Sequence, residues 1–466
     1  MLFSSIPFLY YFLPSVLILY FLAPKKFKNT VLLLSSLVFY GWGEPKYLIL
    51  MVASIVIGYF SGLLIEAINK KEKKKIVLTI NVLINIGFLG FFKYSGFFIE
   101  NFNNLTGLSL KVLNIALPIG ISFYTFQILS YTVDVYRGSV KAQKNLINLA
   151  TYITMFPQLI AGPIVRYKDI LSSLSERKHS FEKISTGLRR FIVGLSKKVL
   201  IANALGELSA TFKASDDKSL LFYWLYAISF CLQVYFDFSG YSDMAIGLGR
   251  ILGFEFMENF NFPFISKSVS EFWRRWHISL GAWFRDYVYI PLGGNRVKKL
   301  RWILNIFVVW FLTGFWHGAA WNFIVWGLYF VVFLILEKTP VFKFITKTKV
   351  LNHIYTLFAI IISFVIFDAV NMGEAVQYIK AMSGFSGVPF ISNEFIFYFK
   401  EYAVILILGI IGSTPLIKTT FNKLSSVKVV KNVISVLEPI VLVVLLVLIT
   451  AYLVDGSFNP FLYFRF

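Results

Sequence analysis

Two histidines stand in sequence otherwise built for apolar surroundings. His317 lies in Gly314-Phe-Trp316-His317-Gly318-Ala-Ala-Trp321-Asn322 and closes an apolar run that begins after Arg301. His277 lies in Glu271-Phe-Trp273-Arg274-Arg275-Trp276-His277-Ile-Ser279. A neutral imidazole, with an ordinary pKa near ~6.5, can take a proton from a hydroxyl as a general base. Gly314 and Gly318 leave room beside the His317 ring for another backbone or a bound chain. The plain alternative is that His317 only hydrogen-bonds a neighbouring helix, with Trp316 and Trp321 forming an interfacial belt. Arg274, Arg275 and Arg285 suit the phosphates of a large donor approaching from the cytoplasm, through forked charge-assisted hydrogen bonds, or equally the anchoring of a helix at lipid headgroups. No Walker A or Rossmann glycine pattern accompanies them, so nucleotide hydrolysis and nicotinamide redox chemistry gain no support. Asp237 and Asp243, in Gln233-Val-Tyr-Phe-Asp237-Phe-Ser239-Gly-Tyr241-Ser-Asp243, could pair with the arginines, orient an imidazole or coordinate a transported cation.

Such groups need apolar elements to hold them, and the composition supplies little else. Of the 466 residues 57% are hydrophobic, 18% aromatic and only 15% charged, too oily for one buried core under a wetted surface. Apolar stretches near the ~20 residues that cross a hydrocarbon core recur along the chain, which predicts an all-α, multi-pass membrane protein. Leu2 to Leu22 has no basic n-region and reads as a retained span rather than a signal peptide. Further spans are predicted at about 29–43, 47–65, 76–92 and 112–133. The basic loops between them, Lys25 to Lys28, Lys70 to Lys75 and Arg137 to Lys144, fall on one side, which the positive-inside rule makes cytoplasmic. The polar, Asn-rich stretch Gly96 to Lys111 is then an outside loop.

The middle, Leu146 to Leu300, is interrupted by Pro157, Gly162, Pro163, Asp237, Gly240, Asp243, Pro263 and the cluster Glu271 to Arg275, which predicts re-entrant or half-membrane helices. Arg189, Arg190, Lys197 and Lys198, set among Phe, Ile and Leu, predict a helix at the cytoplasmic interface. Regular spans resume at 302–316, 321–336, 354–367, 402–411 and 433–453, for roughly ten to twelve crossings in a single domain, 1–466. The net charge of +21 sits in short loops, which suits anionic lipids and cytoplasmic orientation and gives no face for nucleic acid. With Cys231 the one cysteine, no intramolecular disulfide can form, and no metal centre is expected.

The four motifs, Asp237-Phe-Ser-Gly-Tyr-Ser-Asp243, Glu271-Phe-Trp-Arg-Arg-Trp-His277-Ile-Ser, Arg285-Asp-Tyr287 with Pro291-Leu-Gly-Gly-Asn-Arg296, and Trp316-His-Gly-Ala-Ala-Trp321, resemble those of the membrane-bound O-acyltransferases, in their bacterial alginate O-acetyltransferase branch. The likeness runs over essentially the whole chain. It implies a ring of transmembrane helices around a thin centre crossed by a tunnel, with His317 catalytic and His277 functionally important. It implies a cytoplasmic acyl thioester, acetyl-CoA or another, as donor substrate with no permanently bound cofactor, and an exported cell-envelope polysaccharide as acceptor, beside a separate extracytoplasmic acetyltransferase-like or hydrolase-like protein. The tail 459–466, Asn459-Pro-Phe461-Leu-Tyr463-Phe-Arg465-Phe466, resembles aromatic endings in this family and in small partners of its D-alanyl relatives, which implies that Tyr463 carries the acyl group. Read on its physics alone, the tail is an aromatic anchor.

The leading expectation is an enzyme of a bacterial cytoplasmic membrane that O-acetylates envelope carbohydrate. In it His317 is the general base or proton relay and His277 stands with it in the catalytic set, Asp237, Asp243, Trp316 and Asn322 support them, and the arginines hold the donor. D-alanyl or other acyl transfer to teichoic acid is the alternative within the class. An ion-coupled transporter using Asp237 and Asp243, or a scaffold for an envelope complex, are the alternatives outside it; no inverted halves favour the transporter.

Overall fold

A computed structural model of the chain describes every residue except Asn114, Val341, 343–347, 457–458, 460–461 and 463–466. Its described residues are helix, turn and coil, with no strand. Six helices among them are long and apolar enough to cross a membrane: Leu48–Ala67, Lys71–Thr106, Leu220–Ile251, Lys299–His317, Lys349–Asp368 and Lys428–Val454. Asn393–Glu401 and Ala403–Gly412, bent by 59°, would together make a seventh. This is fewer than the ten to twelve crossings expected. The difference lies in apolar helices that are short, Pro7–Leu22 and Trp321–Leu336, and in segments broken into pieces. Much of the apolar surface points outward: Val436, Leu437, Val443, Val444 and Val447 on Lys428–Val454 are all exposed, as lipid-facing side chains must be.

The chain forms two compact units. The first comprises residues 1–191 and 244–257. Its Leu48–Ala67 and Ile121–Tyr136 helices approach at glycines: a Cβ on Gly62 would stand 2.5 Å from the Tyr131 hydroxyl. Asn81 donates to Ser61 at 3.1 Å and accepts from Thr132 at 3.2 Å, so three helices share one buried polar network, the usual glue where lipid removes the hydrophobic drive between helices. Phe3, Phe8, Phe39 and Phe156 pack ring to ring with centroids 4.7–6.4 Å apart. The fourth expected span is longer than predicted. Its helix runs from Lys71 to Thr106, so most of the anticipated outside loop is helical. Asn101 and Thr106 return their polar groups to the carbonyls of Phe97 and Phe102, and the helix stops at Gly107 with φ +73°. The fifth begins at Ile121 instead of Val112, because Pro118 and Gly120 (φ +74°) break the chain before it.

The second unit, residues 192–243 and 258–466, holds the sequence motifs. Against expectation, Asp237, Gly240 and Asp243 do not interrupt their helix, Leu220–Ile251. The carboxylates are neutralised across the neighbouring segment, Lys197 meeting Asp243 at 2.7 Å and Lys198 meeting Asp237 at 2.6 Å. Gly240 lets the backbones touch, since a Cβ there would lie 2.7 Å from the Gly194 carbonyl oxygen. Lys198 is therefore a buried partner and not a headgroup anchor. The breaks expected after Pro263 are present: helices Val269–Arg275 and Ile278–Phe284 and a π-turn Arg285–Tyr289 are all short.

Candidate active site

His317 ends the Lys299–His317 helix and is followed by extended Gly318, after which the chain turns into Trp321–Leu336. The two helices lie backbone to backbone. A Cβ on Gly314 would collide with the Phe323 carbonyl oxygen, and one on Gly327 with that of Trp310. The His317 ring is thereby pressed among aromatics, 4.9 Å from Trp326, 5.0 Å from Trp316 and 5.5 Å from Phe367, each nearly edge-on. Asn322 serves this frame, donating to the carbonyls of Phe367 (3.3 Å) and Ala369 (2.9 Å).

His277 joins Val269–Arg275 to Ile278–Phe284 and carries φ +45°, a left-handed conformation costly for a residue with a Cβ. Asn259 holds it there. Its backbone carbonyl accepts from the Ile278 N–H at 3.0 Å, and its Oδ1 accepts from the Ser279 N–H at 3.2 Å and hydroxyl at 2.9 Å. The same Oδ1 lies 3.2 Å from His277 Nδ1. An oxygen already accepting from an amide assigns the proton to Nδ1 and the lone pair of the neutral ring to Nε2. Trp316 packs against both imidazoles, 5.0 Å from His317 and 6.2 Å from His277, and Phe238 packs edge-on against His277 at 4.6 Å.

The two rings meet at one cavity, and His277 also borders a second. An inner one of about 30 Å³ is lined by His277, His317 and Asp237 among aromatic side chains, and by Leu462 from the C-terminal tail. An outer, more open one of about 260 Å³ is lined by Trp273, Trp310, Tyr289 and Arg285, and shares Trp276 and His277 with the inner one. Asp237 and Lys198 form a pair with side chains only 4% exposed, and the second Asp237 oxygen accepts the Leu462 N–H at 3.2 Å. Asn459 is held by Asn203 at 3.2 Å. Tyr463 lies outside the described residues.

The structure thus brings His277, His317, Trp316 and Asp237 together. Asp243 is engaged by Lys197 instead. Arg285 lines the outer cavity, exposed and paired with Asp286 at 2.7 Å. Arg274 is exposed, whereas Arg275 is committed to Glu271 at 2.9 Å and to the Asn261 carbonyl at 3.1 Å. Burial works to raise the Glu271 carboxyl, but the Lys267 N–H and the Arg275 guanidinium outweigh it and hold it below the usual range. Asn259, Trp326 and Leu462 join the site unexpected from the sequence, and Lys198, expected at the cytoplasmic interface, joins it as the partner of Asp237. Lys198 carried a signal, a charge inside an apolar run, which was assigned to the wrong neighbour; a Leu in a tail carries none.

A sequence profile of the membrane-bound O-acyltransferase family matches residues 139–373, which include all four motifs. The chain is 42% identical to a probable alginate O-acetylase of Azotobacter vinelandii, over 83% of this chain and 78% of that protein. It is 35% identical to a peptidoglycan O-acetyltransferase of Helicobacter pylori, over 83% and 81%. With a teichoic acid D-alanyltransferase of Bacillus subtilis it shares 34% identity over 53% and 65%.

Proposed function

The chain belongs to the membrane-bound O-acyltransferase family and is a multi-pass membrane enzyme, and on that premise we propose that it moves acetyl groups from an acyl thioester to an extracytoplasmic cell-envelope polysaccharide. Similarity to O-acetylating relatives over about four-fifths of the chain, against half for the D-alanylating one, favours acetyl. The observation that carries the reading is that His277 borders both cavities while His317 and Asp237 border the inner one. The thioester lies in the outer cavity with its phosphates toward Arg285 and, outside it, Arg274; Arg275 steadies the wall through Glu271. The acyl carbon reaches past His277 to His317.

There an acceptor hydroxyl gives its proton to the imidazole as its oxygen bonds the acyl carbon. The C–S bond breaks, and the thiolate leaves with that proton. The thioester is already activated, so placement of the reacting atoms carries much of the rate. The hydrogen bond from the Leu462 amide to Asp237 supports a tail held at the inner cavity, and Tyr463, the next residue, as the hydroxyl that first takes the acetyl group. An extracytoplasmic acetyltransferase-like or hydrolase-like protein completes delivery to the polymer, and anionic lipids meet the basic loops on the cytoplasmic side. Radiolabelled acetyl-CoA given to purified wild-type and His317→Ala protein tests the assignment. Label transfer should fall at least ~100-fold, and equal labelling by the variant would remove His317 from the chemistry.

A further inference from the structure

The inner cavity is small, apolar and short of one hydrogen-bond acceptor, and these three properties describe a ligand. A water molecule needs about 10–15 Å³ of such space, so the ~30 Å³ beside His317 admits about two water-sized atoms. Its remaining walls are Val234, Phe238, Trp326, Phe364 and Phe367. They have little freedom to yield: Phe364 packs on Trp276 at 5.4 Å, and Phe367 on Trp326 at 5.1 Å and Phe323 at 5.0 Å. Trp326 is only 2% exposed and, among the described residues, its indole N–H has no hydrogen-bond partner. A buried donor left unmatched in a cavity wall calls for an acceptor that arrives with the ligand. The carboxylate on the lining, Asp237, is occupied by Lys198 at 2.6 Å and by the Leu462 amide.

We propose that this cavity is the seat of the transferred acyl group, and that Val234, Phe364 and Leu462 limit that group to two carbons without charge. The proposal rests on the acyltransferase reading above and supplies its selectivity. The acetyl carbonyl oxygen is the acceptor for the Trp326 N–H, and the methyl fills the apolar remainder. A third carbon has to displace packed rings, and a pocket that refuses one methylene discriminates by about 10- to 200-fold. An aminoacyl group fails for a second reason. Its ammonium would lose water among aromatic walls, with the Asp237 carboxylate already neutralised and the Lys198 cation close behind it.

The test compares acetyl-, propionyl- and glycyl-CoA, the last two matched in heavy atoms and differing in charge, on the full-length chain in membranes that contain its native acceptors; thiol release is measured. Wild type should turn over acetyl at least ~10-fold faster than propionyl and leave glycyl untouched. Phe364→Leu and Leu462→Ala both enlarge the cavity, one in a packed helix and one in the tail. Each should lower the acetyl-to-propionyl ratio at least ~5-fold while glycyl stays excluded. Wild-type turnover of propionyl or glycyl equal to that of acetyl overturns the proposal, as does an unchanged ratio in both variants, and in those cases the acyltransferase reading stands. Wild type that releases no thiol from any donor sinks both. If neither variant accumulates in the membrane, the wild-type preference decides alone.

Discussion

Asp237 is held by its neighbours, Lys198 on one oxygen and the Leu462 amide on the other. Two ions held 2.6 Å apart with side chains 4% exposed have left most of their water behind, and removing one partner strands the other at about 3–5 kcal/mol. Lys198→Met should therefore destabilise the protein by that order, read as a large fall in melting temperature in detergent. Combining it with Asp237→Leu should restore most of the loss, because two apolar residues replace a pair that need not be net stabilising. A double variant no more stable than Lys198→Met would show that the pair is not the source. His317, His277 and Asp237 were legible in the sequence because an ionisable group in an apolar run must be paired or functional. Their partners were not. Asn259 acts from eighteen residues before His277, and nothing along the chain says that Asn259, rather than a nearer polar residue, supports that turn. Arg274, Arg275 and Arg285 look like one basic patch along the chain, yet Arg275 is held by Glu271 one helical turn away, a spacing that the sequence displays.

At the scale of elements, the junction between Lys299–His317 and Trp321–Leu336 fixes where the His317 ring stands, and glycine makes it possible. Gly314→Ala sets a methyl against the Phe323 carbonyl, so the helices must part, at a cost of about 1–3 kcal/mol and with His317 moved. The expected result is less monodisperse protein, a lower melting temperature and a fall in acetyl turnover. Gly90→Ala is the matched control: its new Cβ meets nothing within 4 Å, and a helix interior gains about 0.5–1 kcal/mol on losing a glycine. Equal melting temperatures for the two variants would deny the close contact its role. The helices Leu48–Ala67, Lys299–His317 and Lys349–Asp368 were readable to within about five residues, because a long apolar run leaves the backbone one way to satisfy itself in lipid. The errors fall where tertiary pairing decides. Asp237 and Asp243 look like helix interruptions until Lys197 and Lys198 are placed opposite, and the Asn-rich end of Lys71–Thr106 looks like a loop until its side chains are seen returning to the helix.

For the whole molecule, the basic loops predict an orientation with Lys70 to Lys75 in the cytoplasm, and the two ends of Lys71–Thr106 test it. That helix, 36 residues rising 1.5 Å each, runs about 54 Å, enough to put both ends in water. In a Cys231→Ser background, Ser109→Cys should react with a membrane-impermeant maleimide on intact cells, and Lys73→Cys only after permeabilisation; the opposite pattern would invert the topology. The same long-range order bears on how the chain is made. Asp237 lies near the middle of a helix apolar enough to span a membrane, and its partner belongs to a segment synthesised earlier. On insertion scales a lone Lys or Asp at the centre of a helix resists entry by about 2.5–3.5 kcal/mol. Lys198 leaves the ribosome first and would meet that resistance alone. The ion pair therefore ties together two stretches of chain made at different times: until Lys198 and Asp237 meet, neither charge can be buried cheaply, so their burial is one event and not two.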